Sequence, residues 1–167
     1  MALGIDIGNV IINYRLTDKD DTTLYEEHYS TIPATEGAFR VIRKLNKEKF
    51  NGKIFLISKC TTWAQEKILA WLKDNNFYTK TGVSTKNVLF CRGRYEKDKI
   101  CKDNGITYFI DNRLEVLSHM VKTVPYLFLY RPDESEIDEY RQFLPEVTRV
   151  ESWDEVLKEI NKIETKS

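Results

Sequence analysis

Two aspartates each close an apolar run: Asp6 ends LGID near the start of the chain, and Asp111 ends ITYFID in its second half. A third run, KIFLIS, closes on Ser58 with Lys59 next, and a fourth, NVLFC, leads into Arg92 and Arg94 with Lys97 just beyond. Asn112 and Arg113 follow the second aspartate. Two carboxylates, completed by backbone or water oxygens, suit Mg2+, a hard cation that prefers oxygen ligands. An aspartate at such a metal can attack phosphorus and become an aspartyl-phosphate. A serine hydroxyl can hydrogen-bond a phosphoryl oxygen. A lysine offsets developing charge and lets two carboxylates stay ionised side by side. Lys97, Lys99 and Lys102 are all open to that last role.

Each residue also has a plain reading. An acid after an apolar run can be a buried or turn residue, Ser58 a cap, and the Lys97–Lys102 charges a solvated face. Asn9 and Asn112 can bond nearby loop backbone. Arg92, Arg94 and Arg113, taken singly, can be surface ion pairs. The functional reading rests on their joint placement, because open α/β sheets bind ligands beyond the carboxyl ends of their strands.

For these residues to meet, the apolar runs must be neighbouring strands. Leu3–Ile12, LGIDIGNVII, suits a central parallel strand covered on both faces; Gly8 and Asn9 break it, so it is expected to end near Ile7. Lys53–Ser58, Asn87–Cys91, Ile106–Ile110, Tyr126–Tyr130 and Val147–Val150 read as five further strands. A helix over Glu36–Asn46 would put Ala38, Phe39, Val41, Ile42 and Leu45 on one face. The next, capped by Thr61 or Thr62 and ending near Lys73, would bury Ile68, Leu69, Trp71 and Leu72. Helices are also expected over Asp98–Asn104, over Leu114–Val121, and from Ser135 to just before Pro145. Ser152 and Glu155 form a capping box for the last, with Val156, Leu157, Ile160 and Ile163 inward. Trp63, Trp71 and Trp153 fall on helices and are expected in the core, while Lys162–Ser167 is expected to fray. The alternation predicts an α/β, three-layer Rossmann-like fold: a mostly parallel sheet with helices on both faces.

The balance of 26 basic against 26 acidic residues argues against a generally basic nucleic-acid binder, and no specific nucleic-acid motif is present. A length of 167 residues predicts a single domain, 1–167. No apolar run approaches the ~20 residues of a membrane span, and a strand follows Met1 at once, so neither membrane anchor nor secretory leader is expected. Cys60, Cys91 and Cys101 are odd in number and lack CxxC spacing, which predicts reduced thiols and a cytoplasmic protein. His28 and His119 form no metal pattern.

Taken in order, the segments resemble the haloacid dehalogenase (HAD) superfamily. GIDIGNVI is similar to its first motif, a strand ending hhhDxDx[TV], with Asp6 at the nucleophile position. Ser58 in FLIS matches the second motif, Lys97 in RYEKDK best matches the third, and Asp111 and Asn112 in FIDNR match the fourth. The resemblance covers residues 3 to 113. It implies a HAD-like fold and a Mg2+-dependent phosphomonoesterase with Asp6, Ser58 and Lys97 as catalytic residues. Mg2+ would be held by Asp6, the carbonyl of Gly8 and Asp111, with Asn112 direct or through water. Asn9, Lys59, Arg92 and Arg94 are the substrate-binding candidates; Lys59, Arg92, Arg94, Lys99 and Arg113 around the mouth favour a phosphate-rich ligand.

Two positions depart from the family pattern. Gly8 stands where a second Asp usually serves as acid and base, help worth ~10²–10⁴-fold. Asn112 stands where a second Asp is common, which removes a charge from the metal site. The usual cap is also missing: Asn13–Ile32, a stretch of 20 residues, is too short for a separate domain and reads as a loop or flap. An open site of this kind suits a macromolecular phosphorylated substrate or a lid from another subunit; the oligomeric state is not encoded. Two other readings share the residues: a phosphate- or metal-binding protein without turnover, motivated by Gly8 and Asn112, and a dehalogenase-type hydrolase needing no Mg2+.

Overall fold

The computed structural model describes residues 1–17 and 29–165. Six strands build one sheet: β1 (Leu3–Ile5), β2 (Ile54–Lys59), β3 (Val88–Cys91), β4 (Tyr108–Asp111), β5 (Tyr126–Tyr130) and β6 (Thr148–Val150). Every pairing is parallel, in the order β3-β2-β1-β4-β5-β6. The α/β, three-layer Rossmann-like expectation therefore holds. The central strand β1 is buried on both faces, as its continuous apolar run requires. Gly4 is needed there because a Cβ would stand 2.5 Å from the Phe109 ring on β4.

The helices are α1 (Ala38–Leu45), α2 (Thr62–Asp74), α3 (Phe77–Thr81), α4 (Glu96–Asp103), α5 (Leu114–Ser118), α6 (Glu134–Glu139) and α7 (Trp153–Thr165). One apolar cluster packs α1, α2, α3 and α7 on one face of the sheet, around Trp71, Phe77 and Trp153. The other packs α4, α5 and α6 beneath Cys101, Leu114, Leu117 and Ile137. Among the described residues, no helix is long and apolar enough to cross a membrane.

The structure corrects several expected details. β1 ends at Ile5, because the chain turns sharply after Ile7. Trp63 is 41% exposed and Leu69 is exposed, both on the solvent side of α2, whereas Trp71 and Trp153 are core residues. The helix before Pro145 splits into α6 and a 3-10 turn, Arg141–Glu146, which holds Pro145 itself. α7 continues through Thr165, past the expected fraying at Lys162. The expected 13–32 loop begins and ends in short 3-10 turns, Tyr14–Thr17 and Tyr29–Thr31. Its middle, residues 18–28 including His28, lies outside the described residues.

Candidate active site

The strand order fixes where chemistry can occur. The chain runs β1, β2, β3 outward on one side and then β4, β5, β6 on the other, so the sheet switches direction between β1 and β4. A crevice opens at such a switch point, beyond the strands' carboxyl ends. Ile5 pairs with Leu56 of β2 and Ile110 of β4. The next residue, Asp6, donates its N–H to the Ile110 carbonyl at 2.9 Å, which sets it beside Asp111 at the end of β4. β2 ends in Ser58 and Lys59 at the same edge.

The loop after Asp6 is tightly held. The Ile7 carbonyl accepts N–H bonds from Val10, Ile11 and Ile12 at 3.2, 2.9 and 3.1 Å. Asn9 takes a left-handed conformation, φ 60°, which Asn tolerates better than most residues. Its side-chain oxygen accepts from the Tyr14 N–H at 3.1 Å. Trp153 of α7 donates its indole N–H to the Val10 carbonyl, and Trp71 of α2 donates to the Ile32 carbonyl, both at 2.9 Å. Two core tryptophans thus pin the near and far arms of this loop.

Lys97, in the first turn of α4, is only 2% exposed. Its Nζ donates to Asp6 Oδ1 at 2.8 Å and to Asp111 Oδ2 at 2.9 Å. The Glu96 carboxylate orders the preceding turn by accepting the Arg92 and Gly93 N–H groups at 2.8 and 3.0 Å. Burial alone pushes the Lys97 pKa down, but the Asp111 and Asp6 charges outweigh it and hold the ammonium above its ordinary value. Burial, with repulsion from Asp111, raises Asp6 to about 7 despite Lys97. A buried pair broken by removing one partner costs about 3–5 kcal/mol. Lys97→Met is therefore expected to lower the melting temperature of the metal-free protein at pH 8 by about 10 °C. Adding Asp6→Asn should recover more than half of the loss; a double variant no more stable than Lys97→Met would refute the charge argument.

The remaining carboxylate oxygens point elsewhere. Asp111 Oδ1 accepts from the Arg113 N–H at 3.0 Å. The Asn112 amide lies 3.2 Å from Asp6 Oδ2 and 3.3 Å from Asp111 Oδ1, with its NH2 donating to both. Among the described residues, no three His, Cys, Asp or Glu side chains cluster as a metal cage. A hard cation such as Mg2+ takes one or two carboxylates and completes its shell with carbonyls, waters and substrate oxygens. Asp6, Gly8, Asp111 and Asn112 line the same cleft and could hold such a cation.

No protein-family model matches the sequence, and no curated protein matches it. Solved structures do match. A D,D-heptose 1,7-bisphosphate phosphatase from B. bronchiseptica, complexed with magnesium and phosphate, aligns with TM-score 0.67 over 97% of this chain and 99% of its own, at 12% identity. A protein from Burkholderia xenovorans LB400, described as a haloacid dehalogenase-like hydrolase, aligns with TM-score 0.65 over 93% and 96%, at 14% identity. A D,D-heptose 1,7-bisphosphate phosphatase from Burkholderia thailandensis gives 0.61 over 95% and 97%, at 9% identity. This chain has the HAD-like fold.

Within that HAD-like fold the cleft at the switch point has a volume of about 280 Å³. It brings together Asp6, Gly8, Asn9, Ser58, Lys59, Arg94, Lys97, Asp111, Asn112 and Arg113. The Ser58 hydroxyl takes no partner among the described residues. Two expected cations are not at the mouth. Arg92 bonds the Cys60 carbonyl at 2.8 Å, Thr62 Oγ1 at 3.0 Å and Gln65 Oε1 at 3.1 Å, strapping the β3–α4 turn to the start of α2. Lys99 pairs with Asp103 along the exposed side of α4. Cys60 also lines the cleft, half-buried, where burial raises its thiol pKa. Tyr14 is the wall residue that the sequence reading passes over: its ring lies 3.2 Å from where a Cβ on Gly8 would stand. Nothing in the residue pattern announces it, because its position depends on how the loop folds back.

Proposed function

We propose that this protein is a Mg2+-dependent phosphohydrolase that cleaves phosphomonoesters through an aspartyl-phosphate on Asp6. The observation that carries this reading is the buried Lys97 ammonium bonded to both Asp6 and Asp111 at the sheet's switch point. Phosphate and magnesium in a structure of the same fold add support. Mg2+, held by Asp6, Asp111, the Gly8 carbonyl and Asn112, would screen the negative charge that otherwise repels a carboxylate from a phosphate. Asp6 attacks phosphorus, the ester oxygen departs, and water then cleaves the aspartyl-phosphate to restore Asp6 and release phosphate. Ser58 donates to a phosphoryl oxygen, and Lys97 offsets charge as phosphorus is attacked. Asn9, Lys59 and Arg94 line the substrate side.

A panel of nucleotides, sugar phosphates, phosphopeptides and 3′- or 5′-phosphorylated oligonucleotides tests the proposal by phosphate release. At least one substrate should turn over with Mg2+, and EDTA should cut the rate by about 100-fold or more. Silence across the panel would favour phosphate binding without turnover, the reading that Gly8 and Asn112 motivate. Undiminished hydrolysis in EDTA would favour the metal-independent, dehalogenase-type reading.

A further inference from the structure

We infer that Lys59, Arg94 and Arg113 form a subsite for a second phosphate, so that the preferred substrate is a small bisphosphorylated molecule. This rests on the phosphohydrolase reading of the inner site. All three side chains line the same cleft as Asp6 and Ser58. Lys59 follows Ser58 directly, is exposed, and has no ion-pair partner among the described residues. Arg94 and Arg113 share a single carboxylate oxygen: Arg94 Nη1 lies 3.6 Å and Arg113 Nη2 3.8 Å from Glu115 Oε2. Both distances exceed hydrogen-bond length, and two guanidinium forks cannot be satisfied by one oxygen.

Arg113 adds a sharper sign. Its Nε is buried without a hydrogen-bond partner, although the side chain itself is 42% exposed. The guanidinium is thus not satisfied within the fold, and its accessible part can take an anion in the cleft. Among the described residues, Lys59, Arg94 and Arg113 therefore give the cleft lip two positive charges in excess of the Glu115 carboxylate. The inner site needs none of them, because Lys97 already serves Asp6 and Asp111. The surplus does not extend outward: Arg92 is tied down by Cys60, Thr62 and Gln65, and Lys99 and Lys102 pair with Asp103 and Asp98. With no charged track leading away among the described residues, an extended phosphopeptide or oligonucleotide is disfavoured against a small molecule held wholly in the cleft.

The test compares matched pairs: fructose 1,6-bisphosphate with fructose 6-phosphate, and adenosine 3′,5′-bisphosphate with adenosine 5′-monophosphate. For at least one pair, kcat/KM with Mg2+ should favour the bisphosphate by about tenfold or more. That ratio should collapse towards one in both Arg113→Gln and Arg94→Gln, and shrink as salt rises from about 50 to about 300 mM. Ratios near one in the wild type, ratios unchanged in both variants, or a phosphorylated oligonucleotide or phosphopeptide outrunning both bisphosphates would overturn the inference. Calorimetry with the adenosine pair separates the two readings. If nothing turns over but the bisphosphate binds about tenfold more tightly through Arg113, the subsite stands and the hydrolase reading falls. Turnover without preference gives the converse.

Discussion

Asp6→Asn is expected to lower phosphate release by about 10⁴-fold or more, while making the metal-free protein harder to unfold. Activity falls because the nucleophile is gone, and stability rises because a disfavoured buried charge is gone. Asp6 is buried and faces Asp111, so its charged form is disfavoured and its pKa stands at about 7. A carboxyl group whose folded pKa is raised contributes its full stability below the unfolded value, near pH 4. It loses that contribution as pH climbs towards 7. The amide carries no such penalty. Near pH 4, wild type and Asp6→Asn should therefore unfold at similar temperatures. Above pH 7 the variant should lead by about 2–4 kcal/mol, a net figure that already includes the pull of Lys97 on the charged carboxylate. Lys97 keeps Asp111 as its partner, at 2.9 Å, so the variant does not leave it stranded. Thermal melts from pH 4 to 8 in EDTA give the curve; a variant less stable than wild type at pH 8 would contradict the assigned strain. Saturating Mg2+ should narrow the gap, because wild type gains the metal's binding energy and the variant largely does not.

That strain sits in a part of the fold which is largely legible in the sequence. The apolar runs ending in Asp6, Ser58 and Asp111 are strands, and parallel register then makes the two aspartates neighbours. What pattern alone could not settle was which of Lys97, Lys99 and Lys102 enters the site. A lysine among charges reads as a solvated face. It is the seating of α4 against the sheet that buries Lys97 and leaves Lys99 and Lys102 outside. Arg92 is illegible for a similar reason. A long cation at a strand end can turn inward or back, and here the carbonyl of Cys60 and the side chains of Thr62 and Gln65 draw it back. Helix α3 is absent from the reading because five residues give no periodicity. Its boundaries were nonetheless marked by Asn76 and Gly82, both in the left-handed conformation those residues tolerate.

Substrates with good leaving groups should be favoured steeply. Aryl phosphates and acyl phosphates should exceed simple alkyl phosphates by about 10²–10⁴-fold in kcat/KM, the usual worth of a general acid. Position 8 carries no side chain to deliver a proton to the departing oxygen. Among the described residues lining the cleft there is no histidine, and the only carboxylates are Asp6 and Asp111, both engaged by Lys97. With the acids and bases of the described residues, the ester oxygen leaves with its charge, helped by nearby cations. A plot of log kcat/KM against leaving-group pKa for a series of aryl and alkyl phosphates reads this dependence as a steep negative slope. A flat plot sinks the argument, provided the chemical step is rate-limiting. Restoring the acid is the complementary test. A Cβ on residue 8 would press on the Tyr14 ring at 3.2 Å, so the ring must yield by a few tenths of an ångström. Gly8→Asp combined with Tyr14→Ala removes that obstacle and leaves the Tyr14 backbone bond to Asn9 available. The double variant should flatten the slope through gains on the alkyl esters alone. An equal gain across the series would mean that the new carboxylate acts by repositioning the loop and not by protonating the departing oxygen.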